Sequence, residues 1–301
     1  MAGRNETLEA LVGALRAGEL DFAKPPEETR AVFEAVLATI PVAGDLHFES
    51  DELAGLGVVR STAPGAASDV ALLYLHGGAY VSGSAQGYRN LAAELARASG
   101  ATGFALEYRL APEAPFPAAV DDAVAAYKAL RARGFAASRI VIAGDSAGGG
   151  LALATLVALR DAGADMPAAA LLISPWADLT CSAGSIAGKA ADDPSLTGEG
   201  LRVAAAHYLA GADARHPLAS PALADLSGLP PLLVQVGSAE ILMDDALAVA
   251  AAAGRANAPV RLEIWPGMPH VWHAFAFMLP EGRQAIDTAG AFLRDATKGE
   301  A

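Results

Sequence analysis

The sequence predicts an α/β fold with a mostly parallel central sheet and helices on both faces. Six short sheet-like segments lie near residues 70–75, 102–108, 139–143, 168–173, 232–237 and 260–265. Helical patterns separate these segments, as parallel sheets require, because each crossover between parallel strands needs a connecting element. Hydrophobic residues make up 53% of the chain, and no linker divides it. We therefore expect a single domain over residues 1–301.

The most informative segment joins the third predicted strand to a helical run that begins near Leu151. It reads Gly144-Asp145-Ser146-Ala147-Gly148-Gly149, a Gly-x-Ser-x-Gly turn in the strand–turn–helix context of a nucleophile elbow. In such a turn the serine hydroxyl stands on a sharp, strained bend. Side chains at Gly144 and Gly148 would collide with the flanking strand and helix. This pattern predicts that Ser146 is a catalytic nucleophile.

Other glycine-rich motifs explain this segment less well. A phosphate-binding loop would need a lysine after its glycines, and none is present. A dinucleotide-binding motif would need Gly-x-Gly-x-x-Gly spacing and an acidic residue placed for the ribose, which Gly144–Gly150 lacks. An ordinary glycine-rich turn is the remaining alternative, and the strand and helix on either side favour the elbow over it.

A second glycine-containing segment, His76-Gly77-Gly78-Ala79-Tyr80, follows the first predicted strand. Glycines leave backbone N–H groups uncovered, and such donors can stabilise the oxyanion of a tetrahedral intermediate. Together with the elbow, the segment predicts an oxyanion hole formed by Gly78, Ala79 and Ala147, with Gly77 supporting the loop. A plain turn after the strand is the alternative.

Taken together, these motifs resemble those of the hormone-sensitive-lipase family of bacterial esterases, within the α/β-hydrolase superfamily. The resemblance extends from about residue 28 to about residue 295. It rests on four blocks and a looser fifth: His76–Tyr80, Tyr108–Glu113, Gly144–Gly149, Ser174–Asp178 and Gly237–Asp245. It implies an α/β-hydrolase fold with a helical cap formed by about 1–45 and about 183–215, for which surface decoration is the alternative.

The other members of a catalytic triad should follow Ser146 in the order acid, then histidine. Of six histidines, only His270 and His273 follow the fifth predicted strand, and they lie on the loop after the sixth. Such loops are where α/β sheets place catalytic groups. The family has an aromatic residue two positions after its histidine, which both candidates match, with Trp272 and Phe275. We favour His270, because a glycine-containing turn leads directly into it.

The resemblance also implies which residue is the acid. The family usually has Asp-Pro-Leu-x-Asp where this chain has Glu240-Ile-Leu-Met-Asp244, and the first acidic position is the triad member. We therefore predict Glu240, since Asp or Glu can orient an imidazole. The proline of the family pattern is missing here. Asp244 and Asp245 are the alternatives, and both also fit the first turn of a helix, where the dipole favours acids.

The resemblance implies a serine carboxylesterase of short-chain esters that works through an acyl-enzyme on a Ser-His-Glu triad and needs no cofactor. Tyr80, Trp176 and Trp272 are candidate walls of its substrate pocket, with core packing as the alternative. Lactone or amide hydrolysis on the same site is an alternative activity. A non-catalytic small-molecule receptor would be a different class, and candidates for all three triad members disfavour it.

Charge and cysteine content exclude several partners and sites. The net charge of −13 argues against nucleic acid and anionic membrane surfaces. The single cysteine, Cys181, cannot form an internal disulfide, and no Cys/His cluster has metal-ligand spacing. No apolar run follows Arg4, which predicts no signal peptide. We expect a cytoplasmic enzyme that acts on small-molecule esters and does not insert into membranes. The sequence is also compatible with a homodimer.

Overall fold

Eight strands form one sheet within residues 6–298, the part of the chain that the computed structural model describes. They are His47–Leu53 (β1), Leu56–Thr62 (β2), Ala71–Leu75 (β3), Thr102–Leu106 (β4), Ile140–Asp145 (β5), Ala169–Ile173 (β6), Leu232–Gly237 (β7) and Val260–Trp265 (β8). Their spatial order is β1-β2-β4-β3-β5-β6-β7-β8. Strands β3 to β8 pair in parallel, whereas β1 with β2 and β2 with β4 are antiparallel. The predicted mostly parallel sheet is confirmed; residues 1–5 and 299–301 of the predicted domain lie outside the described residues.

Helices cover both faces of this sheet. They are Glu6–Ala17 (α1), Pro26–Ala38 (α2), Arg89–Ser99 (α3), Ala118–Ala132 (α4), Ala147–Asp161 (α5), Gly184–Gly188 (α6), Gly198–Leu209 (α7), Met243–Arg255 (α8) and Pro280–Thr297 (α9). Leu73 and Leu75 of β3 pack in one core cluster with residues of α4, α5 and α8, and Leu72 and Tyr74 pack in another with α3 and α9. Every residue of β3 to β7 is buried, because a strand covered on both faces has no solvent side.

The antiparallel pair β1–β2 is a hairpin that the sequence analysis did not predict. Its turn is Ala54-Gly55, with φ of 54° and 82°, the left-handed values that a tight hairpin turn requires. Strand β1 reads HFESDEL, and only Leu53 in it is buried. A mostly polar strand at the sheet edge carries no apolar run for a sequence pattern to detect.

The two predicted cap pieces contact each other and the body of the protein. Helices α1 and α2 form the first piece, and α6 and α7 lie in the second. Arg16 at the end of α1 donates a 2.8 Å hydrogen bond to the carbonyl of Ala191 in the second piece. Arg30 of α2 donates to the carbonyl of Val81 at 2.7 Å and pairs with Glu113 at 2.6 Å, which fixes α2 to the body. No helix within residues 6–298 has both the length and the apolar character needed to cross a bilayer.

Candidate active site

Ser146 lies on a strained bend at the carboxyl end of β5. Its φ of 55° and ψ of −122° lie in a region that L-residues rarely occupy. A Cβ atom added to Gly144 would lie 2.1 Å from the carbonyl oxygen of Gly148, and one added to Gly148 would lie 2.0 Å from that of Leu75. No side chain fits at either distance. The two glycines therefore allow β5, the bend and α5 to pass close enough to one another to hold Ser146 in this conformation.

The loop after β3 places two backbone N–H groups beside Ser146. Gly78 and Ala79 have positive φ values of 116° and 55°, and both residues line the cavity that contains Ser146. Within the described chain, their N–H groups donate to no protein acceptor. Ala147 is the first residue of α5, where an N–H has no partner within the helix. None of these three N–H groups has a protein acceptor in the described part of the chain.

The N–H of Gly77, which is predicted to support the oxyanion loop, already donates a hydrogen bond within the protein. It donates a 2.9 Å hydrogen bond to Oδ1 of Asp145, an atom that also accepts from the hydroxyl of Tyr74. Burial raises the pKa of Asp145 to about 6, against the opposing effects of the Tyr74 hydrogen bond and the nearby His270. Gly77 thus supports the loop, and it does so through the carboxylate next to Ser146.

His76 also holds this loop from within the core. Its Nδ1 lies 2.7 Å from the carbonyl oxygen of Gly77, and its ring stacks on Tyr108 with centroids 4.2 Å apart. The hydroxyl of Tyr108 donates to the carbonyl of His76 at 2.7 Å. Burial lowers the pKa of His76 to about 4, so the ring is neutral at neutral pH. His76 is a structural donor rather than a proton carrier.

Glu240 and His270 are in direct contact. Nδ1 of His270 lies 2.7 Å from Oε2 of Glu240, and the Glu240 side chain is fully buried. The other carboxylate oxygen, Oε1, accepts hydrogen bonds from the Ser174 hydroxyl at 2.8 Å and from the Gly237 N–H at 2.6 Å. A carboxylate facing Nδ1 keeps the proton there and leaves Nε2 as the acceptor. His270 therefore has the tautomer that a general base needs.

The pKa of His270 reflects this surrounding. Burial lowers it, but the hydrogen bond and charge of Glu240, with smaller effects of Asp193 and Asp145, raise it, and the net result is a raised pKa. His270 and Ser146 line one cavity, although no direct hydrogen bond joins their side chains in the described structure. Such bonds are often long in a free enzyme and tighten when substrate binds.

The alternative acids and the alternative histidine occupy structural positions. Oδ2 of Asp244 accepts the N–H of Ser185 at 2.8 Å, and Oδ2 of Asp245 accepts two backbone N–H groups at 2.9 Å. His273 is buried, and its Nε2 lies 2.9 Å from Oε1 of Gln235 in the core. Burial lowers the pKa of His273 to about 3. Of these candidates, the structure brings only Glu240 to His270.

Apolar side chains of the two predicted cap pieces form a large part of the wall of the cavity beside Ser146. Its empty volume is about 870 Å³, including the space at its mouth. One helical face of α2 supplies Phe33, Val36 and Leu37, at the spacing i, i+3, i+4, and Ile40 follows just after the end of the helix. The second piece adds Ser195, Leu196 and Leu201. These wall residues were not predicted from the sequence, although Phe33, Val36 and Leu37 have helical spacing on α2.

Three aromatic residues predicted to wall the pocket lie in the core instead. Tyr80, Trp176 and Trp272 are each 1% exposed or less, and none lines the cavity of Ser146. Tyr80 stacks on Tyr208 with centroids 3.8 Å apart, and Trp272 packs beside Trp265 at 5.7 Å. The structure thus favours the packing alternative for all three. Although these residues lie close to the motifs in sequence, their rings do not line the cavity.

The active-site groups share one edge of the sheet. Gly78 follows β3, Ser146 follows β5, Glu240 follows β7 and His270 follows β8. Because these strands are parallel, their carboxyl ends meet at the same edge, and that is where α/β proteins place their sites. Residues more than 190 positions apart in the sequence are in this way collected around one cavity.

Comparison with known proteins gives closely similar relatives. A family profile described as the alpha/beta hydrolase fold matches residues 72–274. The acetyl-hydrolase of Streptomyces hygroscopicus is 58% identical over 226 residues, which cover 75% of this chain and 76% of that protein. A crystal structure of EstE5, soaked by p-nitrophenyl butyrate, superposes with a TM-score of 0.94 at 47% identity and covers 99% of this chain and 100% of its own. The crystal structure of an esterase from the bacterial hormone-sensitive lipase family matches with the same TM-score at 46% identity, with 99% and 100% covered.

Proposed function

This chain belongs to the hormone-sensitive-lipase family of bacterial esterases within the α/β-hydrolase superfamily, and we propose that it cleaves short-chain carboxylic esters with a triad of Ser146, His270 and Glu240. It is a carboxylic ester hydrolase. The observation that carries the proposed triad is the 2.7 Å contact between Nδ1 of His270 and Oε2 of buried Glu240, in a cavity that Ser146 also lines.

Acylation begins at Ser146. Its Oγ attacks the ester carbonyl carbon, and Nε2 of His270 takes the hydroxyl proton. Glu240 fixes the ring orientation and stabilises the imidazolium that forms. When the tetrahedral intermediate collapses, the bond to the alcohol breaks, and His270 returns the proton to the departing alkoxide. The acyl group then remains on Ser146 as an ester.

The oxyanion of the intermediate is stabilised by the N–H groups of Gly78, Ala79 and Ala147. Gly78 and Ala79 line the cavity, and α5 adds its positive N-terminal end at Ala147. Deacylation uses the same groups. Water gives a proton to His270 and attacks the acyl carbonyl, and Ser146 leaves with that proton as the carboxylic acid is released.

The two cap pieces limit the acyl chain. Each methylene gains about 0.8 kcal/mol of burial only while the pocket has room for it. The wall of α2 and Leu196 encloses this cavity, so a longer chain must remain in water or displace the cap. We expect a kcat/KM maximum at roughly four to eight acyl carbons, a range that follows the family resemblance and the packing limit.

A panel of p-nitrophenyl esters of increasing acyl length tests this function, with and without a serine-directed organophosphate. EstE5 was soaked by the butyrate ester, which makes that ester the natural starting point. We expect hydrolysis that the organophosphate abolishes and a maximum at short chains. Hydrolysis of emulsified triolein that rises sharply above its solubility limit would indicate a true lipase and contradict the proposal.

A further inference from the structure

The second cap piece is hydrogen-bonded to the loop that follows Glu240. Oδ2 of Asp193 accepts the N–H of Ile241 at 2.8 Å. The hydroxyl of Ser185 donates to the carbonyl of Ile241 at 2.6 Å and accepts the N–H of Asp244 at 3.1 Å. The N–H of Ser185 in turn donates to Oδ2 of Asp244 at 2.8 Å. We call Ser185 and Asp193 the cap clasp, because these four bonds join the cap to both ends of one short loop.

The clasp also reaches the cavity wall. Oδ1 of Asp193 accepts the N–H groups of Ser195 at 2.8 Å and Leu196 at 2.9 Å, and both of these residues line the cavity. Asp193 is only 7% exposed and Ser185 only 6%. A buried carboxylate is tolerated when N–H donors surround it, and Asp193 has three. One side chain therefore ties the substrate cavity to the residue next to Glu240.

The charge of Asp193 also acts at His270. Three carboxylates influence this ring from different elements: Glu240 after β7, Asp193 in the cap and Asp145 at the end of β5. Glu240 makes the hydrogen bond, and each of the three charges favours the imidazolium form. The imidazolium is the state that forms when Ser146 loses its proton during acylation. The cap thus contributes negative charge where positive charge develops.

We propose that Ser185 and Asp193 are positioning residues for the Glu240–His270 pair, because from the cap they fix the main chain beside Glu240. This inference rests on the proposed triad. It makes the second cap piece part of the catalytic scaffold instead of a cover that moves independently. A substrate that packs against Leu196 is then coupled, through Asp193, to the loop that holds the acid.

Two variants separate the two effects. Asp193→Asn removes the charge, and its amide cannot accept N–H groups from both sides as the carboxylate does. Ser185→Ala removes two hydrogen bonds to the same loop without changing any charge. The matched control is Asp192→Asn, which removes an exposed charge one position away that pairs with Lys189 at 3.3 Å. For each, kcat, KM and the pH profile of kcat/KM are measured with p-nitrophenyl butyrate.

We expect both clasp variants to lose roughly tenfold in kcat, with KM within about twofold, because the groups act on the geometry of the reacting pair. In D193N the acid limb of the profile should move to lower pH, since loss of a nearby negative charge lowers the pKa of His270. In S185A the limb should stay in place. D192N should match the native enzyme in kcat and in the limb.

Unchanged kcat in S185A would overturn the positioning role of the clasp, and an unshifted limb in D193N would overturn the charge effect. Should D193N not fold, S185A still decides the positioning role. The parallel variant Glu240→Ala distinguishes this failure from failure of the triad. Full activity in E240A would refute the triad itself, whereas loss of activity in E240A beside active S185A and D193N would refute the clasp alone.

Discussion

Oε2 of Glu240 lies 2.7 Å from Nδ1 of His270, and no water-exposed surface remains on the Glu240 side chain. Ser174 and Gly237 occupy the second oxygen, so this carboxylate has one orientation available. A carboxylate held in this way fixes both the tautomer and the direction of the imidazole.

Substitution of the two candidate acids should give unequal losses. Glu240→Ala should lower kcat by about three to four orders of magnitude, because only the group at Nδ1 sets the tautomer of His270. Asp244→Ala should lose far less, since Asp244 contacts Ser185 and not the ring. Steady-state kinetics of both variants on one ester decides the matter. A larger loss in the Asp244 variant would identify Asp244, rather than Glu240, as the catalytic acid.

The pH profile of kcat/KM should have its acid limb above 6.5, the ordinary pKa of a histidine. Only neutral His270 can accept the proton of Ser146, so activity falls as the pH drops through the pKa of His270. Burial by itself would lower this pKa, but the hydrogen bond and charge of Glu240 outweigh burial, so the net shift is upward. Glu240→Gln should therefore move the limb to lower pH while activity falls. A native limb below 6.5 would mean that burial dominates.

The two histidines should separate activity from stability. His270→Ala should abolish hydrolysis, because it removes the group that accepts the proton of Ser146. His273→Ala should lower the melting temperature by several degrees, since it leaves the buried side-chain oxygen Oε1 of Gln235 without its partner. The folded H273A protein should keep kcat within a few-fold of the native value. Kinetics combined with thermal melts checks both, and the reverse pattern would exchange their roles.

Enlarging the cavity should shift the preferred acyl length. Leu196→Ala removes buried side-chain volume from the cavity wall, so we expect the optimum to move to longer chains by about two carbons. Leu223→Ala is the matched control, because Leu223 is 47% exposed and lies outside the cavity. The ester panel measures both variants. An unchanged optimum in L196A, or an equal shift in L223A, would show that this cavity does not hold the acyl chain.

The parts of the fold that could be predicted from the sequence are those with strong local signals. Strands β3 to β7 were predictable because buried parallel strands are mostly apolar, and β8 because its sequence, VRLEIW, alternates apolar and polar residues. The elbow at Ser146 was predictable because Gly144 and Gly148 stand where any side chain would clash with the neighbouring backbone. The hairpin β1–β2 was not, since its strand β1 is polar and exposed and its pairing depends on β4. Edge strands of this kind are specified by tertiary context.

The candidate site was also only partly predictable, because some of its contacts join residues that are far apart in the sequence. The predicted Glu240 and His270 are adjacent in space. The family resemblance was needed to select Glu240, whereas the glycine-containing turn favoured His270 over His273. Tyr80 and Trp176 were misjudged because a side chain's direction after a motif depends on packing, here against Tyr208 and the core. Asp193 was missed because its partner Ile241 lies 48 residues away, and no periodicity links them. Such contacts exist only in the folded chain.

The central claim is that Ser146 is the nucleophile, and replacing it tests that claim most directly. Ser146→Ala removes only the hydroxyl, and the Gly144 and Gly148 contacts that shape the bend remain. We predict a folded protein, with the native circular dichroism spectrum and melting temperature, whose kcat on p-nitrophenyl butyrate is lower by several orders of magnitude. Near-native kcat in the folded variant would contradict the mechanism.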